Sequence, residues 1–410
     1  MSEVTSPYAN PVREAASAAA LTDDERTRIL AKSAQFAPPS AVLPDGRREL
    51  VGLSREELTE ILLEIGEKPF RTKQLWHWIY HQGATDFSCM SSIAKPLQEK
   101  LAERFVISRP QAATVQTSSD ETRKFLFRFR DGQEAETVYI PDRREDRGAV
   151  CISSQVGCTL SCTFCHTGTQ GLVRNLGAAE IVGQFMAARD SYGEWPSPRG
   201  ETPRLLSTIV LMGMGEPLYN YENIAKAMKI IMDGEGIGLS RRRITLSTSG
   251  VIPMMDQCGD ELGINLAISL HAVRDDLRDE LVPLNRKYPI ADLIAACRRY
   301  PAASNARRIT FEYIMLRGVN DSEADARELV RLIAGIPAKV NLIPFNPWPG
   351  SRFQPSTREQ LDRFANIVMD AGFASPIRMP RGRDILAACG QLRTESQRAR
   401  RQPATTTDNA

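Results

Sequence analysis

No apolar run in this 410-residue chain approaches the roughly 20 residues that a bilayer-spanning helix needs. The first residues include early acids, and their only apolar patch is the short Ala15–Leu21 stretch, which does not read as the core of a secretion signal. Net charge is also scarce: 52 Lys and Arg against 50 Asp and Glu leave +2, so any affinity for a polyanion has to come from local clusters. The third thing missing is a second cysteine hook. Of eight cysteines, Cys89, Cys258, Cys297 and Cys389 are solitary. Together these features point to a cytoplasmic protein, where thiols stay reduced and clustered cysteines bind metal or do chemistry rather than form a disulfide framework.

The remaining cysteines fall in one stretch, Cys151 to Cys165, and three of them, Cys158, Cys162 and Cys165, are spaced C-x3-C-x2-C. Three thiolates so close in sequence can grip one face of a cubane iron–sulfur cluster, leaving one iron open for a ligand. The alternative is a zinc knuckle with Cys151 or His166 as fourth ligand. Structural zinc usually takes two short hooks, which this chain does not offer.

Residues 1–50, rich in Ala, Ser, Pro and charge, read as a loosely held extension. Order is expected from Leu53 onward. Ser54 and Glu57 form a capping box, Leu58, Ile61, Leu62 and Ile65 an apolar face, and Gly66 a stop. Further helices over Gln74–His81 and around Ile93–Phe105 complete a small helical accessory domain, 51–108, in which Trp76 and Trp78 are core residues or base-stacking platforms. Lys124–Arg130 and Glu136–Ile140 flank Asp131-Gly132, the strongest short hairpin signal, with Pro141 as its end. The hairpin makes 109–148 a linking segment.

From 149 to 395, strand-like runs alternate with amphipathic helices. The runs are Ala149–Ser153, Leu206–Met212, Arg243–Ser247, Ile264–Leu270, Arg308–Leu316 and Lys339–Pro344. The helices are Ala179–Arg189, Tyr221–Met232, Ile290–Arg299, Ser322–Ala334 and Thr357–Ala371, the last opened by a Ser356/Glu359 box. This alternation predicts a parallel sheet and an incomplete (β/α)6 barrel. Residues 396–410 read as a disordered basic tail. The unusual residues mark strand ends: the cysteine run, Gly213-Met214-Gly215-Glu216-Pro217, Ser247-Thr248-Ser249-Gly250, Ser269-Leu270-His271-Ala272 and Pro344-Phe345-Asn346-Pro347-Trp348. Each alone fits a turn, a cap or a buried histidine. Their common position at one rim points to a ligand site.

The order of these motifs, together with Arg381-Gly382-Arg383-Asp384-Ile385-Leu386-Ala387-Ala388-Cys389-Gly390-Gln391-Leu392, resembles the radical S-adenosylmethionine superfamily and, within it, the RlmN family of adenine C2 RNA methyltransferases, over about residues 50 to 395. The resemblance implies a 4Fe–4S cluster on Cys158, Cys162 and Cys165. It implies S-adenosylmethionine held by Gly215, Glu216, Ser247, Ser269, Leu270, His271 and Asn346. It also implies that Cys389 carries the methyl group, that Cys151 resolves the protein–RNA adduct and that Glu136 accepts a proton. The implied partners are 23S rRNA, tRNA and an electron donor such as flavodoxin, with no membrane, for a protein acting as a monomer. A related family that methylates C8 of the same ribosomal adenosine shares the cluster and both cysteines, and a zinc-stabilised RNA-binding module without catalysis is the other alternative. Residues 1–50 and Glu194–Arg204 fall outside the pattern. Because net charge offers RNA nothing, Arg241–Arg243, Arg298, Arg299, Arg307, Arg308, Arg378, Arg381, Arg383, Arg393, Arg398, Arg400 and Arg401 are the candidate phosphate contacts.

Overall fold

The computed structural model describes residues 23–142, 147–200, 202–301 and 303–395. The basic tail expected over 396–410 lies outside the described residues, as do 1–22. The accessory unit contains α2 (Arg55–Glu64), α3 (Arg71–Trp76) and α4 (Lys95–Arg104). Both hydrogen bonds of the Ser54/Glu57 box are present, and Leu58, Ile61 and Leu62 are buried. The second helix starts at Arg71, earlier than the sequence suggests, and continues as a π turn over His77–His81. Trp76 is core, with the Arg55 guanidinium 4.6 Å from its ring centre. Trp78 is half-buried and donates to Ser92 Oγ at 2.8 Å.

A nine-stranded sheet forms the frame among the described residues. Three antiparallel strands, β1 (Gln111–Thr117), β2 (Arg123–Arg128) and β3 (Glu134–Asp142), lead into β4 (Arg147–Cys151). Five strands then follow in parallel: β5 (Leu206–Leu211), β6 (Ile244–Thr248), β7 (Asn265–Ser269), β8 (Ile309–Met315) and β9 (Ala338–Pro344). β4 to β9 are the six parallel barrel strands expected, and together with their helices they make an incomplete (β/α)6 barrel. All seven residues of β8 are buried, as befits a strand covered on both faces. Connecting helices α5 (Ala178–Tyr192), α6 (Tyr221–Met232), α7 (Ile252–Glu261), α8 (Asp275–Leu281), α9 (Ile290–Arg299), α10 (Glu323–Ile333) and α11 (Arg358–Asp370) accompany the strands.

Four expectations change. The hairpin is no separate linker, because β3 pairs with β4 and extends the barrel sheet. Pro141 does not end it: the proline lies inside β3 opposite Gly148, whose N–H is spent on Leu205 O at 2.7 Å. The cap of α11 is Thr357, whose Oγ1 accepts from Gln360 N at 3.3 Å, while Ser356 Oγ instead donates to Asp321 at 2.6 Å.

The fourth change concerns residues 23–50, which are not loosely held. Helix α1 (Asp23–Ala34) straps across the barrel. Glu25 pairs with Lys287 at 2.7 Å and accepts from Tyr288 at 2.8 Å, and Asn175 Nδ2 donates to Ser33 Oγ at 2.8 Å. Arg48–Glu49 then pairs with Phe105–Val106, tying this strap into the accessory unit. The Glu194–Arg204 insertion is a second tie. Trp195 packs on Gly83, where a Cβ would sit 2.3 Å from the indole, and Ser197 N donates to His81 O at 2.7 Å.

Candidate active site at the strand ends

The carboxyl ends of all six barrel strands, or the turns that follow them, open on one cavity. Its lining includes Cys158, Cys162, Cys165, Gly215, Glu216, Ser247, Ser269, His271 and Cys389. Of the residues expected as contacts, Leu270 is set apart. Its side chain is fully buried and absent from the cavity lining, and its backbone N–H donates to Glu312 O at 3.1 Å.

The cysteine loop leaves β4 and is fixed at both ends by the Gln155–Val156 and Arg174–Asn175 pairing. The segment 389–392 is laid over it. His166 N donates to Gly390 O at 2.8 Å, and Trp348 Nε1 to Phe164 O at 2.9 Å. These bonds set Cys389 at the cavity mouth. As a whole residue Cys389 is solvent-exposed, yet the protein packed about its sulfur pushes the thiol up to about 11. Cys151 ends β4, and burial, then the neighbouring Cys389, push its thiol up too. Two cysteines far apart in sequence are thus brought near enough for one to feel the other's charge.

Cys158, Cys162 and Cys165 are all raised, with burial the leading cause; Cys162 reaches about 12, and Cys158 and Cys162 feel their neighbours as well. Among the described residues no three His, Cys, Asp or Glu side chains converge on a single metal ion. His166 is unsuited to be a fourth ligand: its ring stacks on Trp348 at 4.8 Å, Nδ1 faces Gln391 O at 3.3 Å and Nε2 faces Arg393 at 3.2 Å.

Glu216 is buried, and its carboxylate accepts from Ser249 N at 2.8 Å and Leu218 N at 3.2 Å. With no cation among these partners, burial pushes it up to about 7. Gly215, at φ +102°, is required here, since a Cβ would lie 2.6 Å from Gln155. Ser247 and Ser269 face each other across 3.4 Å. His271 takes φ +63°, and its Nδ1 accepts from Ile314 N at 3.1 Å. Burial lowers this imidazole to about 3, so it is neutral, with Nε2 carrying the proton. Asn346 lies beside the lining, donating to Cys389 O at 3.2 Å, and its buried Oδ1 has no partner. An anion without a cation and an orphaned acceptor are what an amino acid ligand would satisfy.

Glu136 stands on β3, paired with Lys124 at 2.9 Å and accepting from Arg393 N at 2.9 Å. Burial raises its carboxyl against the pull of Lys124. The sequence reading missed Glu312, a buried acid on β8 that lines the cavity and accepts from Asn341 Nδ2 at 2.8 Å. Its signal was available, as the one charged residue in Ile309–Met315.

Residues 48–107 match the ribosomal RNA large subunit methyltransferase N-terminal domain, and 200–330 the radical SAM superfamily. The chain is 81% identical over 401 residues, 98% of either chain, to the dual-specificity RNA methyltransferase RlmN of Gluconobacter oxydans. The chain belongs to the RlmN family. The RlmN of Acidiphilium cryptum is 76% identical, covering 92% of this chain and 96% of the relative. A crystal structure of a radical SAM methyltransferase from Sphaerobacter thermophilus superposes with a TM-score of 0.77 at 45% identity, covering 84% of this chain and 99% of the other. As an RlmN-family member the chain is a radical S-adenosylmethionine RNA methyltransferase, whose cofactors are a 4Fe–4S cluster and S-adenosylmethionine. The cavity's donor set suits both. No helix among the described residues is long and apolar enough to cross a membrane.

Proposed function

We propose that the chain methylates C2 of adenine in 23S rRNA and in tRNA, with Cys389 as the methyl carrier and Cys151 as the resolving thiol. The observation that carries this reading is the placement of Cys389 in the lining of the cavity that also holds Cys158, Cys162 and Cys165, where the bond from His166 N to Gly390 O fixes its segment, with the buried Cys151 near enough to feel its charge. Cys158, Cys162 and Cys165 hold the cluster, and Glu216 takes the cofactor's ammonium group at the end of Gly215's close turn. Ser247, Ser269, neutral His271 and Asn346 orient the rest of the cofactor, with Leu270 acting through its backbone. When bound, the cluster and S-adenosylmethionine supply the carbon radical that an electron-poor ring carbon requires.

The chain's own thiols account for the remainder. Cys389 sulfur displaces the methyl from one S-adenosylmethionine and becomes a thioether. A hydrogen atom leaves that methyl for the carbon radical that a second S-adenosylmethionine would supply, the methylene carbon joins C2, and the odd electron of the adduct would return to the cluster as the C2 proton is lost. Glu136, or Cys151 itself, takes the C2 proton. Cys151 thiolate then attacks Cys389 sulfur: the S–S bond forms as the S–CH2 bond breaks. The electron pair stays on carbon, which takes up a proton to become the new methyl. A two-electron thiol reductant resets the disulfide, as the cytoplasm allows, and a flavodoxin-type donor supplies single electrons. Arg378, whose charge reaches Cys389, and Arg383 on the same segment are the phosphate contacts, while Arg381 is spent on Pro141 O at 2.8 Å. Arg299 is spent on Asp256 and Arg307 on Gly263 O, while Arg398, Arg400 and Arg401 lie outside the described residues.

The test compares two variants in cells. Cys389→Ala leaves RNA unmodified and uncoupled; Cys151→Ala stalls with a nucleotide joined to the Cys389 peptide, seen by mass spectrometry after nuclease digestion. A bare Cys389 in the second variant sinks the scheme. Nucleosides from wild-type cells contain 2-methyladenosine; 8-methyladenosine in its place would assign the chain to the other regiochemistry.

A further inference from the structure

Helix α8 carries Arg278, which is completely buried. Its Nε donates to Leu270 O at 2.9 Å, and Nη2 to Ser249 O at 2.8 Å and Ser269 O at 3.1 Å. Nη1 donates to Asn285 Oδ1 at 2.9 Å. All four acceptors are neutral. The nearest acids, Asp275 and Asp279, reach the guanidinium only through Asn285, whose Nδ2 they hold at 2.9 Å and 2.7 Å. Taking a cation out of water costs several kcal/mol, and a direct carboxylate usually offsets it. Here none does, and burial draws the guanidinium down to about 10.

The missing anion has a place. Ser249 and Ser269, whose carbonyls Arg278 holds, line the same cavity as Cys158, Cys162 and Cys165. The end of the same helix binds the cysteine loop, as Leu281 O accepts from Thr163 N at 3.1 Å. One short helix thus touches the cysteine loop and the ends of two barrel strands.

We propose that Arg278 is a positioning residue whose buried charge balances the anionic cluster held by Cys158, Cys162 and Cys165 and raises its reduction potential. The inference rests on that ligand assignment. Reduction adds an electron to an already negative cluster, and a fixed cation in a dry site favours the reduced form.

Anaerobic titration of the loaded enzyme, followed by electron paramagnetic resonance together with iron analysis, tests it without turnover. Arg278→Met lowers the midpoint by about 60 mV, a tenfold change for a one-electron couple, with iron content retained. Arg278→Lys, which keeps the charge and loses the fork of hydrogen bonds, stays near wild type. An unchanged potential in Arg278→Met overturns the proposal. If Arg278→Met fails to hold iron, the lysine variant decides: wild-type iron and potential support a role of charge, and loss of iron there too overturns it. Wild-type protein without a cluster signal would instead refute the ligand assignment.

Discussion

Glu216 is the residue whose chemistry the fold leaves most incomplete. Buried without a cation, it sits near pH 7 instead of its ordinary 4.5. A carboxyl raised on folding contributes stability that is fully present below the unfolded value and is lost as pH rises through the folded one. Cluster-loaded enzyme without S-adenosylmethionine is therefore expected to lose melting temperature between about pH 5 and about pH 8 relative to Glu216→Gln. Parallel melting curves for the two proteins would count against the assignment. Binding shows the reverse trend, because the ammonium ligand needs the carboxylate, so wild-type affinity tightens through pH 7. Glu216→Gln keeps its iron and binds S-adenosylmethionine about tenfold more weakly, roughly 1.4 kcal/mol, by equilibrium dialysis.

At the scale of elements, the ties between accessory unit and barrel are as informative as the helices themselves. Arg189 of α5 is buried, stacks on Trp195 at 3.8 Å, and bonds Glu194 at 3.2 Å and Ser197 Oγ at 2.8 Å. Arg189→Met removes the buried cation that pairs with Glu194 and stacks on Trp195, and a loss of about 3–5 kcal/mol in denaturant unfolding is expected. A loss below about 1 kcal/mol would make the insertion ornamental. These ties were illegible in the sequence for a physical reason. Helix α1 buries only Ile29 outright, so it has no apolar stripe to read, and its anchors Lys287, Tyr288 and Asn175 come from distant segments. What was legible was local or periodic: the Ser54/Glu57 box, the alternation that yields β4 to β9, and the cysteine spacing. Helix α7 escaped because it starts at Ile252, directly behind the Ser247–Gly250 motif that had been taken as a whole for site. Arg278 escaped as one of many charges in Arg274–Glu280, its burial being visible only once α8 is docked.

For the whole molecule, the sheet gathers six catalytic strands at one side and ends at the other in β1. All seven residues of β1 are exposed, Val115 by half, and Gln111–Thr117 holds no charge. The register slip between Ala112 and Thr114 is the one irregularity recorded in its pairing with β2. A smooth, uncharged sheet margin is a template for another chain of the same kind, and a bulge blunts it only in part. This is a colloidal property, separate from anything the cavity does. Concentrated enzyme is expected to self-associate reversibly through this margin, and Val115→Lys to suppress the association while methylation proceeds as before. Sedimentation at rising concentration reads it directly, and equal association in both proteins would place the contact elsewhere. The expected consequence is practical: the concentration at which the enzyme stays monodisperse is set by an edge strand and not by the cavity.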